Sequence, residues 1–214
     1  MKRVSRIVID GREDPEGLKL SIKALLRSGG ETTIACTPLR DDHPLLKGVT
    51  KAHTIPLLSS VREYSLWLLK HATEFINDEF ALFVQHDGFV VHPDRFDEEF
   101  LNYDYIGAPW PQHFHQNRGR RVGNGGFSLR SKKFLDLCSK IDFSKASNDA
   151  EDFMVCVEFR EELEKAGMLF APLEVAAKFS LENRIEDFDN YGIRTFGFHG
   201  RTNIVTQQYS QLLC

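Results

Sequence analysis

Apolar positions along this chain follow two rhythms. Uninterrupted short runs occur at Arg6-Ile-Val-Ile9, Thr32-Thr-Ile-Ala-Cys36 and Ala81-Leu-Phe-Val84. Runs of this length bounded by turn residues predict strands buried on both faces of an α/β sheet. Between the first two, Leu18, Ile22, Leu25 and Leu26 recur at helical spacing. Asp14 followed by Pro15 marks the helix start, as N-cap and first helical residue, and Gly29-Gly30 marks its end. Strand, helix and strand in that order predict the beginning of a Rossmann-like sheet. A further short strand is expected from Ala52 to Pro56. Ser60-Val-Arg-Glu63 reads as a capping box opening a helix from about Val61 to Ile76. Its apolar face is Tyr64, Leu68, Ala72 and Phe75, widened by Leu66, Trp67 and Leu69.

The second half is punctuated more densely. A short helix is expected from Phe96 to Leu101, and Tyr103-Asp-Tyr-Ile-Gly-Ala-Pro-Trp-Pro111 reads as a strand breaking into a Gly/Pro turn. Residues 112–121 form a polar loop carrying His113, His115, Arg118, Arg120 and Arg121. Val122-Gly-Asn-Gly-Gly-Phe-Ser-Leu-Arg130 reads as a Gly-rich turn and an alternating strand, followed by a helix from Ser131 to about Ser139. A long helix opens at Ser147-Asn-Asp-Ala-Glu-Asp152, buries Phe153, Cys156, Phe159 and Leu163, and stops at Gly167. A strand at Leu169–Ala171, a helix at Glu174–Phe179, a last strand at Arg194–Gly200 and a closing helix at Thr202–Leu213 complete the reading. No repeat or linker breaks the pattern, so residues 1–214 are expected to form one domain.

Composition narrows the function classes. A formal net charge of -4 provides no global basic field for nucleic acid. Cys36, Cys138, Cys156 and Cys214 include no Cys-x-x-Cys pair, so zinc and thioredoxin-like readings lack support. No segment suits a signal peptide or a membrane span, and a cytoplasmic, reduced protein is expected. The loop Gly11-Arg-Glu-Asp14 lacks the Gly-x-Gly-x-x-Gly fingerprint, which argues against NAD or FAD.

The chemistry concentrates where apolar runs stop. Val84 gives way to Gln85, His86, Asp87 and Gly88, placing a carboxylate at the carboxyl end of a strand, where α/β sheets bind ligands. Asp87 is a candidate ligand for Mg²⁺ or Mn²⁺, with a strand-end turn as the plainer reading. His199 stands late in the chain just after Phe196 and Phe198, where a buried, satisfied imidazole is the plainer reading. Glu151 and Asp152 stand in the first turn of a helix, where the helix dipole favours carboxylates in any case.

Taken together, these features resemble the GT-A glycosyltransferases. Gln85-His-Asp87 is similar to their Asp-x-Asp motif, with Gln85 in the place of the first Asp. Gly123-Asn-Gly-Gly-Phe-Ser-Leu-Arg-Ser131 followed by Glu151-Asp152 is similar to the Gly-Gly-x-Ser and Glu-Asp pairing of galactosyltransferase-type members, and Phe198-His-Gly200 to their C-terminal histidine. The ordered string of these motifs, with Tyr103-Asp-Tyr-Ile-Gly-Ala-Pro-Trp110 among them, is similar to a bacterial and phage family of small glycosyltransferase-like domains over roughly residues 60–200.

The resemblance implies a single-domain GT-A fold, α/β with a mixed, mostly parallel sheet flanked by helices. Residues 1–84 would be the nucleotide-binding half and 85–214 the metal, sugar and acceptor half. It implies a metal-dependent hexosyl- or pentosyltransferase, inverting, moving a sugar from a nucleoside diphosphate donor to a hydroxyl of a glycan or of a modified DNA base. The cofactor would be Mn²⁺ or Mg²⁺, held by Asp87 and His199. Asp152, or second Glu151, would be the base. Asp10, Gly11, Gln85, His86, Asn124, Gly125, Gly126 and Arg201 would face the donor. Trp110 and Arg121 would lie on the acceptor side, Trp110 either as a stacking platform or as a core anchor. A catalytically silent domain binding nucleotide or sugar is the alternative.

Overall fold

The computed structural model describes residues 3–114, 117–187, 190 and 192–212. Strand β1 (Val4–Ile9) alternates its side chains between two cores: Ile7 and Ile9 enter one, Val8 the other. β2 (Thr33–Thr37) and β4 (Phe80–Phe83) repeat the alternation, which is why these runs carry no polar interruption. Helix α1 (Pro15–Arg27) covers the Val8 face with Ile22 and Leu25. Asp14 caps it, accepting from the backbone N–H of Glu16 and Gly17, and Pro15 is its first residue. Helix α2 (Val61–Phe75) covers the other face with Leu68, Leu69 and Ala72. Ser60 Oγ accepts from Glu63 N, and Glu63 returns a bond to the N–H of Ser59.

The six-stranded sheet has the order β3-β2-β1-β4-β6-β5, where β3 is Lys51–Thr54, β5 Tyr105–Ile106 and β6 Ser128–Ser131. The β1–β2, β1–β4 and β2–β3 pairings are parallel; β6 is antiparallel to both β4 and β5. This is the mixed, mostly parallel α/β sheet that the apolar pattern predicts. β6 is buried at every position rather than alternating, because α3 (Lys132–Cys138) follows it at once and both its faces are covered.

Four expectations change, one of them the Leu169–Ala171 strand, which is a single parallel bridge between Phe170 and Tyr105. The Phe96–Leu101 helix is a 3₁₀ turn at Glu98–Asn102. The long helix after Ser147 is broken: α4 (Glu151–Phe153) runs into a π turn at Met154–Glu158, where Phe159 N donates to Met154 O, and then into α5 (Arg160–Lys165). A π turn adds one residue to the ring and rotates what precedes it, a device often found at functional sites. The last strand, β8 (Gly197–Phe198), does not join the main sheet. It pairs with β7 (Ser180–Leu181) after α6 (Leu173–Phe179), and α7 (Asn203–Tyr209) follows. A third apolar cluster, including Phe89, Leu181, Phe198 and Val205, fastens this unit to α1. Among the described residues no helix is long and apolar enough to cross a membrane.

Candidate functional site

β1 and β4 are parallel neighbours, so Asp10 and Gln85 leave the sheet at the same edge, where the strand order turns back on itself. They open on a cleft of about 290 Å³ whose walls include Gly11, Arg12, Leu58, Tyr64 and His86. Asp10 does not present a free carboxylate. It is 6% exposed, and its oxygens accept from Arg12 Nε at 2.8 Å, Arg12 Nη2 at 2.6 Å and Ser21 Oγ at 2.6 Å. Burial alone would raise its pKa; these bonds outweigh it and hold the carboxyl below its ordinary value. The group offered to a ligand is therefore the half-exposed Arg12 guanidinium. Gly11 is buried beneath Leu58, and its carbonyl accepts from Leu58 N. Across the cleft Gln85 Nε2 donates to Tyr64 Oη at 3.1 Å.

Residues 85–88 form a tight turn in which Gln85 and Gly88 exchange both backbone hydrogen bonds. The turn aims Asp87 at His199, with Nε2 3.8 Å from Asp87 Oδ1 and 3.3 Å from Gln85 Oε1. Asp87 Oδ1 is buried and accepts no hydrogen bond. His86, half-buried, has Nδ1 3.5 Å from the same oxygen, and burial lowers its pKa. Burial opposes protonation of His199 too, but the hydrogen bond and charge of Glu182, with the charges of Asp87 and Asp152, raise its pKa. Glu182 Oε1 lies 3.2 Å from His199 Nδ1, and Glu182 Oε2 is buried without a partner.

These side chains offer a divalent cation a partial donor set. Asp87 Oδ1, Gln85 Oε1 and His199 Nε2 converge, two oxygens and one nitrogen, and the orphaned carboxylate oxygen is the kind of group a cation satisfies. Among the described residues no cluster of three His, Cys, Asp or Glu side chains could hold a metal, so the amide oxygen of Gln85 has to complete the set. Asn124 Nδ2 stands 2.7 Å from His199 Nδ1, with Asn124 Oδ1 accepting from Gly126 N and Phe127 N, so Nδ1 accepts from Asn124 when it carries no proton and donates to Glu182 when it does. A cation at Nε2 requires the latter tautomer, with the Nδ1 proton turned to Glu182.

The Gly-rich turn serves these side chains. Asn124 has φ +66°, is 3% exposed, and spends its amide on the turn and on His199. A Cβ at Gly126 would collide with His199 Nε2, and one at Gly125 with Glu151 Oε1. Asn124, Gly125 and Gly126, expected to face a donor, are buried, and the space a Cβ would take at the two glycines is filled by the protein's own Glu151 and His199.

The acidic pair divides. Glu151 Oε1 accepts from Arg130 Nη2 at 2.6 Å, with 8% and 0% of the two side chains exposed. Arg130 also lies over Phe83 and Tyr105. An unpaired guanidinium there would be costly, so Glu151 is committed as its counter-ion. Asp152 has no such partner. Its carboxyl accepts from Phe153 N, and burial together with the charge of Glu151 pushes its pKa to about 7. A carboxyl poised near neutrality suits proton transfer.

On the expected acceptor side both side chains have partners within the protein. Trp110 is 4% exposed, stacked on Phe153 at 5.0 Å and pressed against Gly123, so it is a core anchor with no free face. Arg121 is held by Asp187 at 2.5 Å and by the Trp110 carbonyl, while its Nη2 is buried without a hydrogen-bond partner. His113 pairs with Glu186, while His115 and Cys214 lie outside the described residues. Arg201 is exposed at the start of α7. Arg12, Tyr64, Arg130 and Glu182 are site residues that sequence reasoning passed over. Arg12 sits beside Asp10-Gly11 and Arg130 within the Gly-rich motif, but nothing in sequence marks Glu182.

With this geometry established, comparisons place the chain. A family model described as "Protein of unknown function (DUF5672)" matches residues 50–199. A comparison with curated proteins finds no match. Among solved structures, a glycosyltransferase involved in the glycosylation of the major capsid of PBCV-1 is similar with TM-score 0.50 and 10% identity, over 98% of this chain and 99% of that one. The bifunctional IspDF from Campylobacter jejuni is similar with TM-score 0.48 and 14% identity over 79% of this chain, which spans 48% of IspDF. Glucosyl-3-phosphoglycerate synthase from Mycobacterium tuberculosis, solved with Mn²⁺, UDP-glucose and phosphoglyceric acid, is similar with TM-score 0.37 and 9% identity, over 62% of this chain and 57% of that one. These similarities concern the fold, which is α/β and like that of GT-A glycosyltransferases.

Proposed function

The chain belongs to the DUF5672 family of proteins of unknown function, and from that premise we propose that it is a metal-dependent glycosyltransferase using a nucleoside diphosphate sugar. One observation carries the reading. His199, contributed from the far end of the chain, lies within electrostatic reach of Glu182, Asp87 and Asp152 at the edge where β1 and β4 end. Convergence of ionisable groups at a sheet edge, with the pKa values of His199 and Asp152 both raised, marks reactive sites.

In this reading residues 1–84 receive the nucleoside in the cleft beside Arg12 and Tyr64, and residues 85–214 supply the rest. Asp87, Gln85 and His199 would hold Mn²⁺ or Mg²⁺. When bound, the ion neutralises the charge of the diphosphate leaving group. Asp152 takes the proton of the acceptor hydroxyl as that oxygen attacks the anomeric carbon and the bond to the diphosphate breaks, which inverts configuration. Glu151 keeps Arg130 neutralised and leaves Asp152 the sole base. The acceptor is a hydroxyl-bearing glycan; a modified DNA base fits the same chemistry. The buried, unpaired thiols of Cys36, Cys138 and Cys156 suit a cytoplasmic location.

Thermal melting with nucleoside diphosphates, with and without Mn²⁺, tests the reading. A nucleotide at a hundredfold its Kd stabilises by about 2.7 kcal/mol, and Asp87→Ala abolishes the metal-dependent part. No response to any nucleoside diphosphate sinks the proposal. The second reading, a silent nucleotide-binding domain, is favoured by Gln85 standing where a carboxylate would strengthen the cation site. Binding without any donor hydrolysis selects it.

A further inference from the structure

A second cavity, of about 270 Å³, shares His86 as a wall with the nucleoside cleft. Its walls include Lys23 and Arg27 from α1, Arg201, His86, and the apolar Phe89 and Leu212; among the described residues no carboxylate lines it. On this acidic chain most buried-edge cations are neutralised: Arg12 by Asp10, Arg62 by Asp149, Arg121 by Asp187, Arg160 by Glu164. Here three cations face one cavity, and among the described residues Lys23 and Arg201 form no ion pair. Arg27 is held in place, donating from Nη1 to the Leu212 carbonyl at 3.1 Å and lying over the Phe89 ring at 5.2 Å. One N–H is thus spent, and the guanidinium keeps others for a ligand. Lys23 and Arg27 stand one helical turn apart, so their side chains project to the same side of α1. Cations gathered without counter-charge among the described residues, on a preordered guanidinium, match the charge and geometry of phosphate oxygens.

We propose that this pocket binds a phosphate group of the substrate by Lys23, Arg27 and Arg201, independently of any metal. The inference rests on the nucleotide reading of the neighbouring cleft only for the origin of the phosphate. Because both cavities share His86 as a wall, a donor whose nucleoside fills the first can place its phosphates in the second. An acceptor carrying its own phosphate would use the same contacts.

The test is calorimetric titration in EDTA with inorganic pyrophosphate, a nucleoside, and the matching nucleoside diphosphate. The proteins are the wild type, Lys23→Gln, Arg201→Gln and the double variant. Both side chains are exposed, and equal melting temperatures verify folding. The expected result is pyrophosphate binding without metal, weakened about tenfold for each cation removed and weakened again by salt, with nucleoside affinity unchanged across the variants. Absence of pyrophosphate binding in EDTA, or equal affinity in all proteins, overturns the proposal. If saturating nucleoside diphosphate displaces pyrophosphate, the pocket serves the donor; if both bind together, it serves an acceptor phosphate. Pyrophosphate binding that depends on Lys23, with no nucleotide binding at all, supports this pocket while rejecting the nucleotide reading of the cleft.

Discussion

Replacing Asp152 with Asn removes a charge that the fold resists, and this separates its chemical role from its structural one. Burial and the neighbouring charge of Glu151 shift the carboxyl from an ordinary 3.8 to about 7. A difference of about 3 pH units at 1.36 kcal/mol each makes ionisation in the folded state cost up to ~4 kcal/mol. The folded pKa lies above the unfolded one, so the folded state holds the proton more tightly. Below about pH 4 the residue is protonated in both states and the cost vanishes. Between about pH 4 and pH 7 the unfolded chain ionises first, and stability falls as pH rises; above about pH 7 the full cost is present. Asn carries none of it and keeps an oxygen to accept from Phe153 N. For a chain of this size ~1 kcal/mol moves Tm by roughly 2–4 °C. At about pH 8 Asp152→Asn should therefore melt up to roughly 8–16 °C above the wild type, with the two curves converging below about pH 4. Transfer activity should fall by about 10²–10⁴. Melting curves across this pH range, beside a donor-consumption assay, give both readouts. A variant that melts at or below the wild type at high pH, or a pH-independent gap, refutes the reasoning.

Glu151→Gln should do the opposite, leaving the fully buried Arg130 without a counter-charge and destabilising by roughly 3–5 kcal/mol in chemical denaturation; a loss under ~1 kcal/mol would show that Glu151 is not its essential partner. Trp110→Ala empties the space between Phe153 and Gly123 and should cost roughly 3–5 kcal/mol, with unchanged acceptor KM in what activity survives; a KM effect at unchanged stability would restore it as a sugar platform. Gly126→Ala pushes into His199 Nε2, so it should abolish the Mn²⁺-dependent part of nucleotide stabilisation while metal-free nucleotide binding persists, as read by thermal melting with and without EDTA.

The elements legible in sequence are those whose signals are local. Asp14 and Pro15 start α1 and Ser60 with Glu63 starts α2, because capping needs only residues within one turn. The apolar runs of β1, β2 and β4 announce strands buried on two faces, and with them the carboxyl edge bearing Asp10 and Gln85. Asp87 and His199 were visible as residue types at a strand end and in a late aromatic run. Their 3.8 Å approach, which the turn at 85–88 and the β7–β8 pair create, was not.

Tertiary structure decided the rest. Whether Trp110 stacks on a ligand or fills the core depends on Phe153, which arrives from a distant helix. Whether Glu151 or Asp152 is free to move a proton depends on Arg130, which β6 buries beside one of them. A sequence records that two carboxylates are adjacent. Only the packed chain, by desolvating both and giving one a guanidinium, makes their chemistry different.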